Sequence, residues 1–211
     1  MNATVSGAGP NKRTPLLLLA LLFFAPLLFS FWVYYGSRWR PSGRTNHGVL
    51  IEPAITLPPV PLPRIDLAAA SNSNNDVPAA ADILRGKWSL VYIAAGDCDA
   101  DCRDTLYYMR QTHLGLGNLI PRVQRVFLAS QPCCDRKFSP QMDAAIPAVI
   151  TLNAAGTAAS QLLAQFPSER RATTIFIVDP RGNLMMRYDA KTDPKGLRDD
   201  LKKLLNLSHI G

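Results

Sequence analysis

An α/β domain, with a central mixed sheet flanked by helices and one membrane-spanning helix ahead of it, is predicted by three features of the 211-residue sequence. One apolar segment without charge stands near the N-terminus. Beyond residue 80, short apolar runs alternate with helix-patterned segments. Two cysteines, Cys98 and Cys102, fall at the first junction between such a run and such a segment. Alternating strands and helices call for a layered α/β fold. With a dicysteine at the first strand-to-helix junction, the layout is thioredoxin-like, because a sulfur there stands on a rigid strand end and sees a helix N-terminus.

Four parts are expected along the chain: a short tail over 1–14, a transmembrane helix over 15–35, a proline-rich tether over 36–79 and the thioredoxin-like domain over 80–211. Pro15 to Tyr35 (PLLLLALLFFAPLLFSFWVYY) is uncharged for 21 residues, enough to cross a hydrocarbon core of roughly 30 Å. Pro26 kinks such a helix without forbidding it. Trp32, Tyr34, Tyr35 and Trp39 are interfacial anchors. The run passes into bulky aromatics and arginines instead of a small-x-small cleavage site, so an uncleaved anchor is expected over a signal peptide. Lys12 and Arg13 precede it, and Arg38, Arg40 and Arg44 follow. Charge alone keeps the C-terminal side in the cytoplasm. The four cysteines instead suit a compartment with managed thiol chemistry. In the tether, LPPVPLPRIDL from Leu57 favours an extended chain and SNSNND from Ser71 a flexible one.

The domain opens with Trp88 to Ala95, an apolar run with the pattern of a buried strand. Cys102 to about Leu116 reads as a helix, with Asp101 or Asp104 suited to its first turn. Arg122 to Ala129 (RVQRVFLA) is a second strand, and Ile146 to Leu152 another, Pro147 marking an edge or a strand entry. Gly156 to Gln165 is helical. Thr173 to Val178 and Leu184 to Tyr188 flank the turn signal Asp179-Pro180-Arg181-Gly182-Asn183 and form a hairpin. From Pro194 to Leu207 the apolar positions Leu197, Leu201, Leu204 and Leu205 share one helical face.

The net charge of +7 divides into +3 over residues 1–80 and +4 over 81–211. The second part has no basic tract and no basic–aromatic alternation, so no nucleic-acid partner is expected; the arginines beside the anchor match anionic lipid headgroups. The bilayer, met by residues 15–35, is the first partner expected. There is no Ser-His-Asp set, P-loop or dinucleotide glycine pattern, and three scattered histidines offer little for acid–base chemistry.

From about residue 80 to 207 the chain resembles the Sco/SenC family of membrane-anchored thioredoxin-fold proteins, which take part in copper delivery to, and thiol redox control of, cytochrome c oxidase. The matching pieces are Gly86-Lys87-Trp88, the C-x-x-x-C of Cys98 and Cys102, Thr105-Leu106, Val123-Gln124-Arg125-Val126-Phe127 and Ile177-Val178-Asp179-Pro180-x-Gly182. The resemblance implies that the protein assists oxidase assembly by Cu(I) handling or by thiol–disulfide exchange. Its partner would be an oxidase subunit or another assembly factor, and its soluble domain would lie in the periplasm, on a single-pass anchor in the cytoplasmic (inner) membrane. Two departures qualify this. The cysteine spacer is Asp99-Ala100-Asp101, without the usual proline. The family's copper histidine has no counterpart among Arg170, Arg171, Ala172, Thr173 and Thr174. A degenerate member, acting as a protein-interaction module without metal or redox chemistry, is the alternative.

Two cysteines four apart on a first helical turn share a face, within reach of a disulfide or of one metal. Cys98 and Cys102 are therefore the expected redox pair and the first candidate metal ligands. Asp97, Asp99 and Asp101 disfavour a thiolate and favour a bound cation, and soft sulfur ligands select Cu(I). Cys133 and Cys134, with Arg136 and Lys137 close by, can reach the same end of the sheet and supply a third ligand or exchange disulfides with the first pair. Met142 is more readily packing than ligand. His113 lies about 16 Å along the helix from Cys102 at 1.5 Å per residue, His47 is in the tether and His209 in the tail, so none is expected to complete the site.

Overall fold

The computed structural model describes residues 13–36, 46–65, 76–78, 82–131, 148–169, 171–191, 193 and 195–211. The chain divides into two units, Met1–Arg44 and Thr45–Gly211. In the first, helix α1 (Thr14–Tyr35) is 22 residues long, with Pro15 in its opening turn and Pro26 inside. Proline is tolerated at a helix start because its missing N–H would have no partner there. The apolar window of α1 has a mean hydropathy of 2.6, and its leucines and phenylalanines lie exposed. It is long and apolar enough to cross a membrane.

The second unit is built on one eight-stranded mixed sheet. Its strands are β1 (Val49–Thr56), β2 (Pro63–Ile65), β3 (Asp76–Pro78), β4 (Trp88–Ala94), β5 (Val123–Ala129), β6 (Ile150–Asn153), β7 (Thr174–Val178) and β8 (Asn183–Asp189). Their spatial order is β1-β8-β7-β4-β5-β6-β2-β3. The helices are α2 (Ala100–Leu114), α3 (Thr157–Ala164) and α4 (Gly196–Leu207). Strand β4 runs parallel to β5, Trp88 facing Val123 and Ala94 facing Ala129, and antiparallel to β7. Alternation of side chains along β4 divides the core. Leu90 and Tyr92 join Leu106, Met109, Leu197 and Leu201 under α2 and α4. Val91 and Ile93 join Ala159, Leu162 and Phe166 under α3. Both faces of the central strands are therefore covered, which is why they read as continuous apolar runs.

The α/β thioredoxin-like class is as expected, and each predicted element from β4 onward is present within a few residues of its expected bounds. Residues 146 and 147, expected in β6, lie outside the described residues. The tether is corrected. Its residues 49–56 and 63–65 are strands of the sheet: β1 pairs antiparallel with β8, Val49 facing Arg187, and β2 pairs with β6 and β3. The folded unit accordingly begins near Thr45, and not near residue 80. Proline is tolerated in these strands because Pro53 lies in the edge strand β1 and Pro63 is the first residue of β2, outside its ladder with β6, so a missing N–H need not break a central ladder.

Side-chain bonds fix the ends of this unit. Buried Asp200 on α4 accepts from His47 N at 2.6 Å, from Gly48 N at 3.1 Å and from the Tyr188 hydroxyl. A side chain at Gly48 would run into the Tyr188 ring. Arg122 donates to the carbonyls of Leu205, Ser208, Ile210 and Gly211 at 2.7–2.9 Å and so gathers the chain after α4. In the β7–β8 turn, Asp179 accepts from Arg181 N and Asn183 N, and Gly182 takes the φ of +85° that the turn requires.

Candidate functional site

The site is made by the way β4 hands over to α2. After Ala94 the chain turns through Ala95, Gly96 and Asp97, and Cys98 N approaches the Ala95 carbonyl at 3.5 Å. Cys98 has φ of +34°, left-handed backbone that a non-glycine residue adopts only when its surroundings impose it. Asp99 then caps α2: its backbone is extended and its carboxylate accepts from Cys102 N at 2.9 Å. Arg103, one turn into the helix, donates back to the Cys98 carbonyl at 3.1 Å.

These contacts join Cys98 and Cys102 in a disulfide with Cα atoms 5.1 Å apart. Both residues are buried, with 2% of their surface exposed. One detail of the expectation is corrected: Cys98 precedes the cap and is not on the helix, so the bond ties the entering loop to the third helical residue. The short aspartate cap starts the helix two residues earlier than expected, at Ala100.

The pair lines a cleft of about 250 Å³ together with Tyr92, Ile93, Ala94, Ala95, Asp97, Asp99, Ser130 and Arg171. Burial pushes the Tyr92 hydroxyl well above its ordinary pKa; its hydrogen bond with Thr105 partly offsets this, and the Asp99 and Asp101 carboxylates add to it. Tyr92 thus remains a neutral phenol. Of the three expected carboxylates, Asp97 and Asp99 line the cleft, whereas Asp101 turns to Lys191 Nζ at 2.9 Å. Ser130 donates to the Ala94 carbonyl at 3.0 Å.

Arg171 lines the cleft from the turn before β7. Its guanidinium donates from Nε to Pro167 O at 3.0 Å and from Nη2 to Leu163 O at 2.8 Å and to Phe166 O, capping the end of α3. In the sequence this position stands out only by its lack of a histidine. Its place becomes a signal only once the strand pairing is known: a residue just before the strand that pairs antiparallel with β4 stands at the same sheet end as the β4–α2 junction.

None of the three histidines lines the cleft. His47 Nδ1 pairs with Asp193 at 3.0 Å, and His113 Nε2 donates to Val123 O at 2.9 Å at the far end of α2. Cys133 and Cys134 lie outside the described residues, as do Arg136, Lys137, Met142 and Arg170. Among the described residues no group of three His, Cys, Asp or Glu side chains is placed to hold a metal ion. What this arrangement offers chemically is one disulfide, buried at a cleft, beside one fixed guanidinium.

A family model described as transmembrane-like, thioredoxin-like, C-terminal domain matches residues 88–208, from the first residue of β4 to just past α4. No curated protein matches the sequence. Among solved structures, yeast Sco1 with copper bound is similar over 75% of this chain and 96% of its own, at 18% identity and a TM-score of 0.53. ScoI of Bradyrhizobium japonicum with copper bound is similar over 71% and 99%, at 18% identity and a TM-score of 0.50. BsSco, a member of the Sco family of cytochrome c oxidase assembly proteins in which a disulfide switch was identified, is similar over 75% and 99%, at 13% identity and a TM-score of 0.52. At these identities the likeness is one of fold.

Proposed function

The chain belongs to the transmembrane-like, thioredoxin-like C-terminal domain family, and from that premise we propose that it is a membrane-anchored thiol–disulfide exchange protein working through Cys98 and Cys102 in the assembly of a cytochrome c oxidase. The observation that carries the exchange reading is the Cys98–Cys102 disulfide at the junction of β4 and α2, lining a cleft. A thiolate of a partner protein attacks one sulfur of the pair, forming a mixed disulfide, and the other cysteine leaves with the bonding electrons. The N-terminus of α2 lies where that negative charge forms, and its dipole favours it. A second partner thiolate resolves the mixed disulfide, so two electrons pass from the partner to the pair. The oxidase as the beneficiary is supported by the Sco fold of the neighbours.

Copper would be cargo in such a protein. Once reduced, the two cysteines offer adjacent soft sulfurs, which suit Cu(I); this favours a second reading, Cu(I) handling. The fit is poor at the third position. Arg171 lines the same cleft, and its charge opposes a bound cation. Cys133 or Cys134 would have to supply the third sulfur.

One preparation tests both readings. The full chain in detergent is equilibrated with graded dithiol–disulfide buffers, and its free thiols are trapped with a maleimide that adds mass. A reversible two-electron transition between roughly −120 and −300 mV is expected, absent in Cys98→Ser/Cys102→Ser. A pair that does not titrate, in a protein that also binds no Cu(I) tightly, leaves only the interaction-module role. Cu(I) titration of the reduced protein should show weak binding; tight binding that Cys133→Ser/Cys134→Ser weakens would favour the cargo reading.

A further inference from the structure

Reduction of the Cys98–Cys102 disulfide needs an electron donor, and the wall of the cleft restricts which donor fits. Arg171 is the single basic residue among the described residues lining it; Asp97 and Asp99 are the acidic ones. Their settings differ. Both aspartates are exposed, so water and salt screen them, and one Asp99 oxygen is already engaged by Cys102 N at 2.9 Å. Arg171 is half-buried, where a charge is screened less and acts more strongly on its neighbours.

The guanidinium is also fixed. Its Nε and Nη2 are spent on the carbonyls of Pro167, Leu163 and Phe166, which leaves Nη1 outside those three bonds. All three acceptors are neutral, and no carboxylate of a described residue pairs with Arg171, so among the described residues its positive charge is uncompensated. The cleft measures about 250 Å³. It accommodates a thiol-bearing side chain and one neighbouring group.

We propose that Arg171 selects the electron donor of this site: a thiol carrying a carboxylate close to its sulfur, the carboxylate meeting the guanidinium while the sulfur meets the disulfide. This deepens the exchange reading and rests on it. The donor thiol loses its proton to water and attacks as a thiolate; the Cys98–Cys102 bond breaks, a mixed disulfide forms, and the other cysteine leaves with the electron pair. A second donor thiolate attacks the mixed disulfide and departs as the donor's own disulfide. The two cysteines take up two protons, and two electrons have moved from two donor thiols.

The test measures rates of disulfide reduction in the full chain in detergent, with 3-mercaptopropionate (anionic), 2-mercaptoethanol (neutral) and cysteamine (cationic), each corrected for its thiolate fraction. Arg171→Met removes the charge; Arg171→Lys keeps it. The anionic-to-cationic rate ratio should fall about tenfold in Arg171→Met, stay within about threefold in Arg171→Lys, and shrink as salt rises from about 0.05 to 0.5 M in the unaltered protein. An unchanged ratio in a folded Arg171→Met protein overturns the proposal. If that variant does not fold, the salt series decides, and a ratio indifferent to salt overturns it. Cysteine peptides flanked by Glu or by Lys separate the sources. Faster reaction of the Glu-flanked peptide supports a cysteine in an acidic protein segment, and discrimination confined to the small molecules supports a small carboxylate thiol. Failure of every thiol to react overturns the exchange reading as well; reaction without regard to charge overturns the selection by Arg171 alone.

Discussion

His113 donates from Nε2 to the Val123 carbonyl, and burial is the main reason its pKa lies below the ordinary 6.5; the hydrogen bond to Val123 pulls the other way, and the nearby Arg125 charge adds to the lowering. The unfolded chain therefore binds a proton at this residue more readily than the folded one. Stability from this group is fully present above pH 6.5 and declines as pH falls below 6.5 toward the lower folded value. Thermal unfolding of the protein should shift to lower temperature between about pH 7 and pH 5, and His113→Gln, which keeps an N–H donor without a titrating ring, should flatten that part of the profile. An equal slope in both proteins would assign the pH dependence elsewhere. The same residue shows what ligand spacing can and cannot exclude. Its distance along α2 from Cys102 rules it out of the site, and its actual partner is a backbone carbonyl of a neighbouring segment, which no spacing rule announces.

At the scale of elements, the joint between the N-terminal edge and α4 is the feature the sequence concealed. Strand β1 carries Glu52 and Pro53 in its middle, and its burial is partial along its length, so neither an apolar run nor a clean alternation marks it. Beside its ladder with β8, its entry is held by Asp200, one of two adjacent acids on an amphipathic helix, which receives two backbone N–H groups and the Tyr188 hydroxyl. The central strands were legible because both of their faces are buried, and the helices because their apolar positions recur at helical spacing. The site was legible in its sulfurs, since C-x-x-x-C at a strand end has a local signature. It was not legible in Arg171, which reaches the cleft only through the pairing of β7 with β4. Asp200→Ala leaves those three donors without their acceptor and should cost about 2–3 kcal/mol. Amide exchange should accelerate at residues 47–56 before it does in β4 or β5. Asp200→Asn should lose less, because one acceptor remains. Uniform acceleration through the sheet would show that β1 is not separately held by this acid.

For the whole molecule, the flanking charges and the disulfide make opposite claims on topology, and the two differ in strength. Arg38, Arg40 and Arg44 outnumber Lys12 and Arg13 and would hold the domain in the cytoplasm. That bias governs short loops; a long domain translocates largely regardless of it, and the unit following the anchor spans Thr45–Gly211. A cytoplasm kept reducing by its thiol systems would hold Cys98 and Cys102 as thiols, whereas an extracytoplasmic compartment sustains their bond. An exchange protein that accepts electrons must find its pair oxidised, so the proposed activity requires the outward placement. Alkaline phosphatase fused after Gly211 should therefore be active, a cytoplasmic reporter fused at the same point inactive, and the fusion should keep the anchor uncleaved in the membrane fraction. Trapping of thiols in intact cells should find Cys98 and Cys102 bonded until a membrane-permeant reductant is added. An inactive phosphatase beside an active cytoplasmic reporter would overturn the placement. It would also leave the pair reduced at rest, so that electrons would have to flow from Cys98 and Cys102 to a partner disulfide instead of toward them.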